Sequence, residues 1–182
     1  MPTKRELVLD GAIELLGTRG LRALTHRAVD ESAAMPSGSA SNYFRTRQAL
    51  LIGVAERLEE RDHTDWAVLS RLPAPTTVEQ LVDGLALFAV HAAGADRTRT
   101  LARYALFVEA QTSPVLLESV RRGHDRLTAW AATMLDAFGA HPSVPKILVD
   151  YLDGVILHQL ISPARAFDPS PALSRTVRAL LA

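Results

Sequence analysis

The chain has 182 residues, 48% of them hydrophobic and 5% aromatic, with zero formal net charge and no cysteine. That length and apolar content suit one domain, or a small domain joined to a larger one, with a substantial core. The composition excludes a disulfide framework, a thiolate metal site and a cysteine nucleophile, and no apolar run is long enough to span a bilayer. The first residues, MPTKRELVLD, lack the apolar region of a signal peptide, so a cytoplasmic protein with no membrane partner is expected.

Ala and Leu dominate, which favours helix, and helix punctuation is frequent. Thr3 with Glu6 has capping-box spacing, and Val8, Ala12, Leu15 and Leu16 follow with helical periodicity up to Gly20. Thr25 is placed to cap a second helix, about 26–33. Pro36 fits the first turn of a third, which ends near Tyr43, and Thr46 caps a fourth that runs to about Ser70. Leu72-Pro73-Ala74-Pro75 breaks the chain. Thr76 with Glu79 then opens a fifth helix to about Ala93, closed by Gly94. A sixth covers about 97–111. Ser113-Pro114 opens a seventh to about Phe138, closed by Gly139. Pro142 and Pro145 introduce an eighth that ends before Pro163, and Ser170-Pro171 opens a ninth. No segment alternates with period two for long enough to form a strand. The expectation is an all-α fold of about nine helices.

The segment from Thr25 to Leu51 stands apart. Its second short helix carries Ser37, Gly38, Ser39, Ser41, Asn42 and Tyr43, followed by Arg45 and Arg47. It is too polar and too small for a core helix, and it suits a polar, anionic partner. A helix-turn-helix presents its second helix to the DNA major groove in this way. Asn42 can bond adenine bidentately, and Ser37 and Ser41 can reach base edges. Arg27, on the preceding helix, is placed to reach phosphate or a base, or to remain a solvated surface charge. Leu24, Val29, Phe44 and Leu50 are apolar and are expected to hold the two helices at a fixed angle. Residues 1–50 hold seven Lys/Arg against five Asp/Glu, which permits DNA binding without demanding it.

Residues 4–51 resemble the TetR family of transcriptional regulators. The first helix, Val8-Leu9-Asp10-Gly11-Ala12-Ile13-Glu14-Leu15-Leu16 with Gly20, matches that family's opening pattern. Thr25 and Val29 follow in register, then Gly38-Ser39, Tyr43-Phe44, Thr46-Arg47 and Leu50-Leu51, without gaps. The sequence departs from the pattern at Ala34, where the turn has Gly, at Pro36, where it has Ser, and at Ser41, where it has Tyr. The resemblance implies that Gly38 lets the helix backbone approach DNA closely. It also implies that Ser39 and Tyr43 contact phosphate, and that Arg47 stands where the family's Lys does so. Two domains follow from it: a helix-turn-helix domain, 1–46, and a helical ligand-binding and dimerisation domain, 47–182.

In the second domain apolar stripes on helices five, six and seven can enclose a small molecule. Phe88, His91, Tyr104, Phe107, His124 and Leu127 are the candidate lining; an ordinary helical core is the plainer alternative. Helix eight is apolar over much of its circumference, so it needs two partners. A two-fold homodimer through Leu148, Tyr151, Leu152, Val155, Leu173, Val177 and Leu180 supplies them, and internal packing in a monomer is the alternative. Enzymatic readings find little support. His26, His63, His91, His124, His141 and His158 have no metal-ligand spacing, and no phosphate-binding glycine loop or nucleophile elbow occurs. No catalytic residue, metal or cofactor is expected. The sequence therefore reads as a DNA-binding regulator, a repressor released from a palindromic operator by a small-molecule effector. The alternative is a helical ligand-binding or protein-interaction module whose reading head no longer reads DNA.

Overall fold

The computed structural model describes residues 2–182. Among them the chain forms nine α-helices, two 3-10 turns and no strand. The helices are α1 (Lys4–Arg19), α2 (His26–Ser32), α3 (Ser39–Tyr43), α4 (Arg47–Leu69), α5 (Val78–Ala93), α6 (Arg97–Ala110), α7 (Pro114–Leu135), α8 (Val144–Ile161) and α9 (Ser170–Leu181). No described helix is long and apolar enough to cross a membrane.

Most ends obey the punctuation. Thr3 and Glu6 form a reciprocal capping box, whose hydrogen bonds from Thr3 hold the Glu6 carboxyl below its ordinary range. Thr25 accepts from the Ala28 amide, and Thr46 from the Ala49 amide. Three ends differ from expectation. Pro36 lies ahead of α3 rather than in its first turn. The cap of α5 is Thr77, one residue later than expected, because Gln80 rather than Glu79 reaches back and accepts from the Thr76 amide. Ser170 is the first residue of α9 and caps nothing; Asp168 instead accepts from its amide, and bonding to Ser170 lowers the Asp168 carboxyl.

The chain divides into two compact units. Met1–Asp65 with Thr98–Gly123 form one, and Trp66–Arg97 with His124–Ala182 the other. In the first, Leu9, Leu16, Leu24, Val29, Phe44, Leu50 and Val54 share one core with Ala102, Leu106 and Leu116. Burying each of the larger side chains stabilises the unit by about 2 kcal/mol. The buried face of α6 is thus Ala102, Leu106 and Ala110, while Val108 is exposed. Leu106 fills the core while Ala102 and Ala110, one turn to either side, let the helix approach closely.

Charges tie the same helices. Arg57 on α4 grips Asp10 of α1 with two bonds of 3.0 Å and reaches Glu6 at 3.0 Å, and these partners hold it firmly protonated. Arg103 on α6 bonds both oxygens of Asp62 at 2.7 and 2.8 Å, and Arg99 reaches Asp65 at 2.7 Å. Burial raises the Asp62 carboxyl, against the pull of Arg103 and Arg99.

In the second unit α5 packs on α8 and α9 through Leu81, Val82, Ala86 and Ala89 against Leu148, Leu152, Ile156, Leu173 and Val177. Leu148, Leu152, Leu173 and Val177 are therefore buried within one chain and cannot present surface to a second copy, contrary to expectation. Tyr151, Val155 and Leu180 are half-buried. Trp66 and Trp130 stack, with centroids 5.6 Å apart and planes 11° apart, a pairing no local pattern announces.

At Gly17 on α1 the start of α6 comes close: a Cβ there would meet the Thr98 carbonyl oxygen at 2.0 Å. Backbone cannot yield as a flexible side chain can. Gly17→Ala is expected to cost about 2–3 kcal/mol, read as a lower denaturation midpoint at unchanged slope.

Candidate nucleic-acid interface

The polar helix α3 has five residues and no side-chain cap of its own, since Gly38 occupies the cap position. Asp30 of α2 replaces that cap. Its carboxylate is buried, accepting from the Gly38 amide at 2.8 Å and the Ala40 amide at 2.7 Å. Two charge-assisted bonds to backbone fix the start of α3 on α2. Gly38 has φ +91° and ψ −5°, the left-handed third position of the turn closed from the Ser39 amide to the Pro36 carbonyl. This geometry gives Gly38 a conformational reason to be glycine, besides its lack of a side chain.

The other end is equally fixed. His26 Nε2 donates to the Phe44 carbonyl at 2.5 Å, and the Phe44 ring is buried in the core with the Arg5 guanidinium 5.3 Å from its centroid. Leu24, Val29, Phe44 and Leu50 are all buried, as their apolar character predicts. The connection between α2 and α3 holds one strained residue. Ala34 has φ +51°, left-handed, at a position where glycine would carry no penalty.

On this frame Ser37, Ser41, Asn42, Tyr43 and Arg47 are exposed together, with Gly38 and Ser39 half-exposed beside them. Two of these hydroxyls are engaged with backbone: Ser39 donates to the Pro36 carbonyl at 2.6 Å, and Ser41 to that of Gly38 at 2.9 Å. Among the described residues, the side chains of Asn42 and Tyr43 make no internal hydrogen bond, so their polar groups are available. Arg27 is exposed and pairs with Glu31 one turn on, at 3.1 Å. Arg47 does not stand alone at the start of α4, as its position suggests. It donates to Glu109 at 2.9 Å and to the Leu21 carbonyl at 3.3 Å.

The residues expected to line a ligand site fall in both units. Tyr104 and Phe107 are half-buried, with rings 5.8 Å apart at 60°. In the other unit Phe88 and His91 are exposed, and Leu127 and His124 are half-buried; His124 lies 3.7 Å from the Asp150 carboxylate. No group of three His, Asp or Glu among the described residues is arranged to hold a metal.

Sequence reasoning missed Asp30, which reads as one more surface charge on a polar helix. The available signal was the missing cap: a helix that starts at Gly38 needs an acceptor from elsewhere.

Two family models match the chain. One, described as bacterial regulatory proteins, tetR family, covers residues 8–54, and the other, tetracyclin repressor-like, C-terminal domain, covers 76–182. Among solved structures, the chain is similar to the multidrug binding protein EbrR complexed with ethidium, at 25% identity over 98% of each chain and a TM-score of 0.75. It is similar in fold to a TetR family member (SCO1917) from Streptomyces coelicolor A3, at 24% identity over 98% of each chain and a TM-score of 0.74. The same holds for a transcriptional regulator (RHA1_ro04179) from Rhodococcus sp. Rha1, at 20% identity over 98% of this chain and 96% of that one, TM-score 0.78. No curated protein gives a significant match.

Asp30→Asn removes the charge and offers only one acceptor oxygen to two amides. It is expected to cost about 3 kcal/mol in chemical denaturation. Ala34→Gly relieves the left-handed strain and is expected to stabilise the chain by about 1 kcal/mol, seen as a raised melting temperature.

Proposed function

The chain belongs to the tetR family of bacterial regulatory proteins, and from that premise we propose that it is a repressor that leaves a palindromic operator when a small molecule binds its C-terminal helices. The observation that carries the reading is the polar face of α3. It is rigidly capped by Asp30 and presents Ser41, Asn42 and Tyr43 outward. Rigid placement of donors and acceptors is what base reading requires, while phosphate contacts set register. We assign Ser37, Ser41 and Asn42 to base edges, and Ser39, Tyr43, Arg47 and Arg27 to phosphates, with Gly38 at the close approach. Residues 1–46 carry this reading head, and 47–182 carry effector binding and dimerisation.

A homodimer places two such heads on one operator. Its interface is assigned to α8 and α9. There Tyr151, Val155 and Leu180 are half-buried, and Ile147, Leu157 and Ile161 are exposed apolar residues. For the effector, the support is the similarity to EbrR, which is seen with ethidium, and the half-buried α7 residues His124, Leu127 and Met134 of the second unit. Phe88 and His91 are the further candidate contacts in that unit. The effector and DNA are linked: each must weaken the other's binding by the same factor.

One observation favours the rival reading of a silent head. Arg27 and Arg47 are each engaged by a carboxylate. Selection from a randomised duplex library at a stated salt concentration separates the two. Enrichment of one palindrome is expected. Tyr43→Ala with Arg47→Ala should then lower affinity by about 10- to 100-fold and flatten its salt dependence by up to roughly 0.9 of a unit of slope, since one cation is lost. No enrichment by folded dimer would support the rival.

A further inference from the structure

Arg47 opens α4, where a cation opposes the helix dipole. Its guanidinium is held by groups of two other elements. Nη1 donates to Glu109 Oε1 of α6 at 2.9 Å, and Nη2 to the carbonyl of Leu21, in the turn after α1, at 3.3 Å. The Arg47 side chain is 46% exposed and that of Glu109 25%, so the pair is half-sheltered and open on one side. Arg27, the other cation assigned to phosphate, is paired differently. Arg27 and Glu31 lie one turn apart on α2 at 88% and 64% exposure, where solvent screening leaves such a pair weak. Glu109 is distant in sequence, its position on α6 is fixed by the packing of Leu106 and Ala110, and a second hydrogen bond holds the guanidinium in place. A phosphate that approaches Arg47 therefore meets a neutral pair. It must displace the Glu109 carboxylate or share the guanidinium with it, and a second anion beside a phosphate repels.

We propose that Glu109 sets the affinity of the DNA interface: its carboxylate competes with phosphate for Arg47 and keeps binding weaker than the reading head alone would give. The inference rests on the reading of α3 and the start of α4 as the DNA contact. It assigns a role to a residue outside the helix-turn-helix.

The test measures binding of Glu109→Gln and the wild-type protein to a labelled duplex across a salt series. The duplex is the palindrome that the wild type enriches or, where none is enriched, one of mixed sequence. Melting temperature certifies the fold, and Glu109→Ala gives the same readout should Gln disturb it. Removing the carboxylate is expected to tighten binding by about three- to tenfold near physiological salt and to steepen the salt dependence by up to roughly 0.9 of a unit, one recovered phosphate contact. In the Arg47→Ala background the gain should vanish, because the competition needs both partners. Unchanged or weaker binding by Glu109→Gln would overturn the proposal and make the pair a structural tie. So would a gain that persists without Arg47, which would mark Glu109 as a bystander charge. If neither folded wild type nor Glu109→Gln retains any duplex, the functional reading itself fails and this inference falls with it.

Discussion

The buried carboxylate of Asp30 is the constraint on which the reading head depends. A helix of five residues cannot form by itself, because nucleation costs more than its few hydrogen bonds return. Here the donors at its start are satisfied by a side chain from the preceding helix, at 2.8 and 2.7 Å. That side chain is fixed in turn because α2 is anchored by Val29 in the core. The polar face of α3 can then be wholly functional, since Ala40 is the one buried side chain it needs. Fold energy comes from α1, α2 and α4, and α3 is left free to carry chemistry.

Electrostatics in this unit work at two levels of shelter. Arg57 with Asp10, and Arg103 with Asp62, are largely buried pairs with two bonds each, and they tie α4 to α1 and to α6. Breaking one partner of such a pair would leave a sheltered charge, so they act as fixed joints. Arg47 with Glu109 is more open, and the same ion-pair chemistry there can be exchanged for a phosphate. The difference lies in burial, not in residue type. A formal net charge of zero is accordingly no obstacle to DNA binding, because what acts on a phosphate is the local, uncompensated cation.

The second unit follows another logic. Its interior is built from α5 between α8 and α9, mostly Ala, Val and Leu, and is closed within one chain. What remains outside is a set of half-buried residues along α7 and α8, only partly covered by the chain itself. Such partly closed stripes are where a ligand or a second copy gains most from burial. The fully buried Leu173 and Val177 serve the unit's own stability.

The sequence by itself determined the all-α class, the helix order and the cap chemistry at Thr3, Thr25 and Thr46, because each depends on residues three or four apart. It also determined the apolar residues of the reading head and the polar character of α3, through the register of residues 8–51 with the TetR family. Shifted caps at Thr77 and Asp168 show the limit of local reading: neighbouring acceptors competed, and side-chain reach chose between them. Only the tertiary structure decided that Asp30 caps α3, that α6 buries the face of Ala102, Leu106 and Ala110, and that Glu109 meets Arg47, 62 residues away. Each of these depends on which helices approach one another. That is set by volume and shape across the whole core, and no local spacing records it.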